Sequence, residues 1–372
     1  MRSRNMKRVL LTLVVSAASI LSSVAQIDYV IEGNVDKYSN DRYIYLQRLD
    51  SNRKAHKLDS AYVKNNKFTF KGSMPNEEIL ELNDGYASMN VLIEKGIIKV
   101  DMDKKKNLGT TFQNKIMDQY ESSRDSIQMI TGQRLGLLSD DSVMTKEQRE
   151  AERKKVLKDY SDGFYSLAKQ YLENYGSMMI AEYIMDRATV NLGEDTLKFD
   201  SLFELVKRKD LSYEPLKADV KRYEAIKNTS AGKMFVDFTI DEGTKQGGRI
   251  SLSDYVGKGK YVLLDFWASW CFWCRAEFPI MADLYKKYRG DHFEIVGLAV
   301  KDKREDTDKA LAEDKIVEWP IIYNGGNSEM NKYGVWGIPQ IILFAPDGTI
   351  VERGLRNQHL VEVVEREMKQ YE

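Results

Sequence analysis

Three regions of the chain differ in the period with which apolar and polar positions alternate. From Ile27 to Asp103 short segments alternate or run apolar: Tyr29 to Ile31, Tyr43 to Leu46, Phe68 to Phe70, Ile79 to Leu82 and Val91 to Val100. A period of two marks strands, because successive side chains on an extended chain point to opposite faces. Turn-forming residues intervene at Ser39 to Asp41, Asn65-Asn66, Asn83 to Gly85 and Lys95-Gly96, so a small antiparallel β-sandwich or barrel is expected over 26–105. Near Thr111 the period lengthens. Phe164, Leu167, Tyr171 and Leu172 recur at helical spacing among Lys, Glu, Gln and Met, which predicts a helical region over 106–229. Gly176-Ser177 reads as a break with a cap before a helix through Met185, and Asp200 to Lys207 and Leu216 to Ile226 read as two more helices.

A third pattern begins near residue 230 and extends to 372. Phe235 to Ile240 and Ile250 to Leu252 flank a polar turn at Glu242 to Gly248, which predicts a hairpin leading into the buried strand Tyr261 to Phe266. Helical segments from about Cys271 and Thr307 alternate with apolar runs at Phe293 to Val300 and Ile341 to Phe344. That order implies an α/β unit with helices on the faces of a central sheet. The turn Pro346-Asp347-Gly348 leads to Thr349 to Arg353, and an amphipathic helix from about Leu360 to Tyr371 closes the region.

The first residues follow none of these periods. Arg2, Arg4, Lys7 and Arg8 precede an apolar run from Val9 to Ile20, and Ser23 and Ala25 supply small residues at cleavage spacing. Residues 1–25 therefore read as a secretory signal peptide, the run being shorter than the ~20 residues of a membrane span. An uncleaved anchor is the alternative. No cysteine follows the run to accept a lipid, so the mature chain is expected to begin near Gln26 in a compartment where disulfides persist, the periplasm.

Charge adds little to this picture. Lys plus Arg (56) nearly equals Asp plus Glu (57), so no overall field favours nucleic acid as a partner. The charged run from Lys146 to Lys158 reads as a solvated helix face supported by i,i+4 pairs.

The chemistry concentrates in one place. The sequence holds two cysteines, Cys271 and Cys274, and two placed at random would fall three apart roughly half a percent of the time. An apolar strand runs into Trp267-Ala268-Ser269-Trp270-Cys271-Phe272-Trp273-Cys274, and helix-forming Arg275-Ala276-Glu277 follows, so Cys271 sits at a helix N-terminus. Free amides and the helix dipole there stabilise a thiolate, the nucleophilic form. Cys271 is thus the expected attacker, with Cys274 one turn deeper to resolve the mixed disulfide. A purely structural bridge closes so small a loop that it removes little unfolded-state entropy. A structural zinc needs four ligands, and His56, His292 and His359 are scattered, so neither metal nor cofactor is expected.

This motif and the strand before it resemble the thioredoxin superfamily, most closely its TlpA/ResA-like branch, over about residues 230 to 372. The resemblance implies a thiol-disulfide oxidoreductase. It assigns Asp265 as a buried carboxylate that accepts the Cys274 proton, its pKa raised by desolvation. It puts Pro279 at a kink in the first helix and Gly337-Ile338-Pro339 in a cis-proline loop. Pro339 would then face the disulfide, and the Ile338 backbone would be free to pair with an extended substrate. Glu277 matches a glutamate that tunes the thiols in ResA-like proteins, or else is an exposed helix residue. The chain departs from the family at Phe272-Trp273, where a proline usually precedes the second cysteine. Potentials of such pairs run from about −270 mV to about −120 mV, a spread of roughly 7 kcal/mol. With Trp270, these aromatics are expected to form an apolar contact for a partner.

Upstream, Leu58-Asp59-Ser60-Ala61 and Lys67 to Gly72 resemble a β-domain of unknown function found ahead of exported thioredoxin-like domains, which suggests a docking or dimerising module. The expected partners are exported protein thiols and disulfides, apocytochromes among them, together with a membrane electron donor. Two other classes stay open. A peroxide reductase would carry Pro-x-x-x-Thr-x-x-Cys, which residues 264 to 271 lack, and a binding scaffold would not need an intact cysteine pair.

Overall fold

The computed structural model describes residues 26–35, 41–138 and 144–371, so the signal peptide expected over 1–25 lies outside the described residues. Strands β1 (Ile27–Asn34), β2 (Tyr43–Leu49), β3 (Ala55–Tyr62), β4 (Lys67–Met74), β5 (Glu78–Asn83), β6 (Ser88–Ile93), β7 (Gly96–Asp101) and β8 (Lys106–Asn107) form two four-stranded sheets. Their orders are β4-β1-β7-β8 and β3-β2-β5-β6. Alternate residues of the two sheets, such as Ile31, Phe70 and Ile98 against Ile44, Leu82 and Val91, bury a shared core. This is a sandwich, as expected, but not a wholly antiparallel one. β1 pairs antiparallel with β4 and parallel with β7, because the chain crosses into the second sheet before it returns beside β1. The segment Val91 to Val100 is two strands, broken where Gly96 takes a positive φ. β3 carries no strand signal in the sequence, since Ala55 to Asp59 are all exposed and no apolar alternation marks them.

Helices α1 (Phe112–Leu137), α2 (Lys146–Tyr175), α3 (Ile180–Leu192), α4 (Thr196–Phe203) and α5 (Glu214–Asn228) cover the outer face of the second sheet. Ile79 and Leu92 of that sheet join their core. Glu94 anchors the arrangement by accepting the free N–H groups of Gln113 and Asn114 at the start of α1. α3 runs through the centre and is buried on nearly every side. Ser177 does not cap it. The chain turns at Gly176, where a Cβ would lie 1.9 Å from the Leu205 carbonyl, and α3 starts only at Ile180. α4 likewise begins earlier than expected, because Asp195 caps it through the Lys198 N–H at 2.9 Å. The Lys146 to Lys158 face is largely solvent-exposed. Among the described residues no helix is long and apolar enough to cross a membrane.

The third unit has a thioredoxin-like fold. The hairpin β9 (Thr239–Ile240) and β10 (Ile250–Ser251) precedes β11 (Tyr261–Trp267), α6 (Phe272–Tyr288), β12 (Phe293–Val300), α7 (Arg304–Asp314), β13 (Ile321–Gly325), α8 (Asn327–Lys332), β14 (Gln340–Phe344), β15 (Ile350–Arg353) and α9 (Asn357–Met368). The sheet order is β13-β12-β11-β14-β15, with β14 antiparallel to the central β11. Every residue of β11 is buried, which is why it reads as a continuous apolar run. Its side chains alternate between two cores. Tyr261, Leu263 and Trp267 pack with α6 and α9, whereas Val262, Leu264 and Phe266 pack with Tyr333 and Val335.

Candidate active site

β11 ends at Trp267 and α6 starts at Phe272, so the linking loop delivers Cys271 to the N-cap position. The loop is braced from outside. Asp302 accepts the backbone N–H of Ser269 at 2.6 Å and its hydroxyl at 2.8 Å, and Arg275 grips Asp314 through two bonds of 2.8 Å. Cys271 and Cys274 form a disulfide with an S–S distance of 2.02 Å. The Cys271 sulfur also accepts the Cys274 backbone N–H at 3.1 Å, one of the free amides of the first turn. Cys271 keeps 6% exposure and Cys274 none, so an incoming group reaches the first sulfur before the second.

Asp265 lies two residues from Trp267 on β11 and shares its face of the sheet, toward α6 and α9. It is fully buried, and neither carboxylate oxygen has a hydrogen-bond partner. Desolvation pushes its pKa up to about 8, opposed by the Arg356 guanidinium and reinforced by Glu277. Glu277 is buried rather than exposed, which removes one of the two expectations for it. It faces inward from α6 and accepts the Asn357 backbone N–H at 3.0 Å, joining α6 to the start of α9. Pro279 lies inside α6.

The Ile338–Pro339 peptide is cis, and the Ile338 backbone makes no hydrogen bond among the described residues. The Pro339 carbonyl is held by Arg356 Nη2, a contact the sequence did not announce because Arg356 belongs to the approach to α9. Burial pulls the pKa of this guanidinium down, and its Nη1 is buried without a partner. Gln340 is tied to the helical unit by Glu194, which also grips Arg353 through bonds of 2.7 and 2.9 Å.

Trp270, Phe272 and Trp273 are all exposed, and the last two meet edge to face at 5.2 Å. Trp270 is oriented by its indole N–H, which donates to the Lys301 carbonyl at 3.2 Å. Trp336, three residues ahead of Pro339, is a further exposed aromatic, and no motif marks it in the sequence. Its indole lies between Arg53 and Arg222, with guanidinium carbons 5.3 and 4.8 Å from the ring centre. The three histidines are engaged by other groups: His56 contacts Asp50, His359 contacts Glu352, and His292 stacks on Tyr371.

Comparison with known proteins gives two family matches. Residues 231–353 match the AhpC/TSA family, and residues 29–133 match DUF4369, a domain of unknown function. The thiol-disulfide oxidoreductase ResA of Bacillus thuringiensis subsp. konkukian is 30% identical over 138 residues, 37% of this chain and 76% of that protein. ResA of Bacillus subtilis is 32% identical over 123 residues, 33% of this chain and 66% of that protein. The crystal structure of the thioredoxin domain of a thiol-disulfide oxidoreductase from Bacteroides vulgatus aligns at 35% identity and a TM-score of 0.34, over 37% of this chain and 96% of that one.

Proposed function

We propose, given that the chain belongs to the ResA-like thiol-disulfide oxidoreductases, that it reduces or isomerises disulfides of exported proteins through Cys271 and Cys274. In the reduced protein the Cys271 thiolate attacks one sulfur of the substrate disulfide. A mixed disulfide forms and one substrate thiolate leaves. Cys274 then loses its proton to the Asp265 carboxylate and attacks the Cys271 sulfur. The second substrate thiolate departs, the substrate has gained two electrons, and the Cys271–Cys274 disulfide is formed. A donor dithiol returns those electrons, with a membrane protein as the donor.

The observation that carries this reading is the accessible edge of Cys271 at the N-terminus of α6, together with a cis-proline loop whose Ile338 packs against the cluster holding both cysteines and keeps its backbone unpaired. An extended substrate segment adds to that edge by backbone hydrogen bonds. Asp265 suits proton exchange near neutral pH because burial brings its pKa to about 8. Glu277, one turn of α6 beyond Cys274, is assigned to tuning the thiols, and Trp270, Phe272 and Trp273 offer apolar area to the partner. The basic and apolar pattern from Arg2 to Ala25 supports export to the periplasm. The fold supports a division into 26–105, 106–229 and 230–372, the first two serving to dock partners. Insulin reduction by wild type, Cys271→Ser and Cys274→Ser tests the chemistry. Both variants are expected to lose catalytic turnover, and turnover that survives Cys271→Ser refutes the assigned nucleophile.

A further inference from the structure

A cleft of about 450 Å³ opens where all three units meet. Its walls include Arg53 from the β2–β3 turn, Lys217, Lys221 and Arg222 from α5, Lys301 after β12, and Trp336 from the loop before cis-Pro339. One contact and one stretch of chain connect it to the redox site. The Lys301 carbonyl holds the indole of Trp270, the neighbour of Cys271, and Trp336 leads directly into Gly337-Ile338-Pro339. The junction is close-fitting, because a Cβ on Gly334 would lie 2.7 Å from the Arg222 carbonyl and 2.6 Å from Ile226 Cγ1.

The charges in this cleft do not cancel. Arg53 shares Asp186 and Asp219 at 2.6 and 3.3 Å, Arg222 lies 3.6 Å from Asp219, and Lys217 is paired with Glu214 at 2.7 Å. Lys221 and Lys301 have no ion-pair partner among the described residues. The surplus is positive, on a chain whose formal net charge is −1. Beside it stands an indole that is 54% exposed although two guanidinium groups flank it. A bare anion would use the lysines alone. A polypeptide segment would use them together with the indole face, and one that pairs with the Ile338 backbone runs past Trp336 into this space.

We propose that this cleft receives an acidic stretch of the polypeptide whose disulfide is presented to Cys271, so that substrates with Asp or Glu beside the cysteine are selected. The proposal rests on the thiol-disulfide reading above and names the substrate class for that site. Recognition is electrostatic, and salt should weaken it over a Debye length of about 10 Å at 0.1 M.

The test uses peptide disulfides whose cysteine is followed by four Asp, four Ser or four Lys residues. The readout is the second-order rate constant for their reduction by the reduced full chain. Wild type is expected to reduce the Asp peptide roughly tenfold faster than the Ser peptide at low ionic strength, with the ratio falling toward one in high salt. Lys221→Glu with Lys301→Glu should bring the ratio to one or below and favour the Lys peptide. Lys221→Glu alone, on the exposed side of α5, should lower it in the same direction. Equal rates for Asp and Ser peptides in wild type, or a ratio unmoved by charge reversal, overturns the proposal. Reduction of the Ser peptide reports the redox chemistry by itself, so its loss in wild type indicts that reading and not the cleft. Calorimetry of a cysteine-free tetra-aspartate peptide with the Cys271→Ser, Cys274→Ser protein then decides the cleft separately. Binding abolished by charge reversal supports it, and no binding in the parent overturns it.

Discussion

Glu182 on α3 and Asp265 on β11 are equally buried, each inside the main core of its unit. Glu182 is surrounded by donors: Arg208 Nε at 2.5 Å, the Ser212 N–H at 2.8 Å and the Tyr213 N–H at 2.7 Å. Asp265 has none. The first arrangement satisfies the buried carboxyl oxygens with hydrogen bonds and ties α3 to the segment that starts α5, so it serves structure. The second leaves the ionised form uncompensated and raises the pKa to about 8, which suits the proton exchange proposed for it. Equal burial therefore gives two different electrostatic settings according to the donors supplied.

Removing the carboxylate at each position should divide stability from activity. Glu182→Ala leaves the Arg208 guanidinium and two backbone N–H groups without their acceptor, and the variant should lose about 3–5 kcal/mol in urea unfolding. The molecules that stay folded should still reduce insulin at the wild-type rate. Asp265→Asn should do the reverse, with reductase turnover near pH 7 falling about 100-fold while the fold is retained. Its effect on stability has a defined sign. The folded pKa of Asp265 is raised, so the stability contributed by its protonated form is complete below about pH 4 and is lost as pH rises to about 8. Wild type should lose about 1.4 kcal/mol per pH unit relative to Asp265→Asn across that window. A difference between the two proteins that is flat with pH contradicts the assignment.

Arg356 sharpens the comparison, since it is the cation that opposes desolvation at Asp265 without bonding to it. In Arg356→Met the pKa of Asp265 should climb further, moving the limb of the pH–rate profile that reports this group by about one unit to the alkaline side. The smallest effect on stability is expected at the rim. Phe272→Gly with Trp273→Pro removes two exposed rings and should change unfolding free energy by less than about 1 kcal/mol. It should nonetheless raise KM for a protein substrate severalfold and shift the redox potential. An unchanged KM and potential would deny these aromatics a part in partner contact.

What the sequence disclosed follows from how far each signal reaches along the chain. β11, the cysteine pair at the start of α6 and the Ile338-Pro339 loop are written in contiguous residues, and all lie where the apolar run and motif put them. β12 matched its expected bounds at Phe293 and Val300 for the same reason. The parallel partnership of β1 and β7 depends on a crossover through another sheet, which no local period records. β13 and α8 are short, and their apolar residues are too few to set a period. Glu277 was legible as a helix residue, but its burial depends on α9, which lies far along the chain. Arg356 and Trp336 carry no motif; Arg356 is revealed by its contact with the Pro339 carbonyl and Trp336 by contacts with Arg53 and Arg222 of the other units.

The central claim is that Cys271 attacks and Cys274 resolves. Reaction of Cys274→Ser with a disulfide-bonded protein substrate, followed by proteolysis and mass spectrometry, tests it most directly. The account predicts a stable mixed disulfide on Cys271, and none when Cys271→Ser is treated in the same way. A persistent adduct on Cys274 in the Cys271→Ser protein, with none on Cys271 in its counterpart, would contradict it.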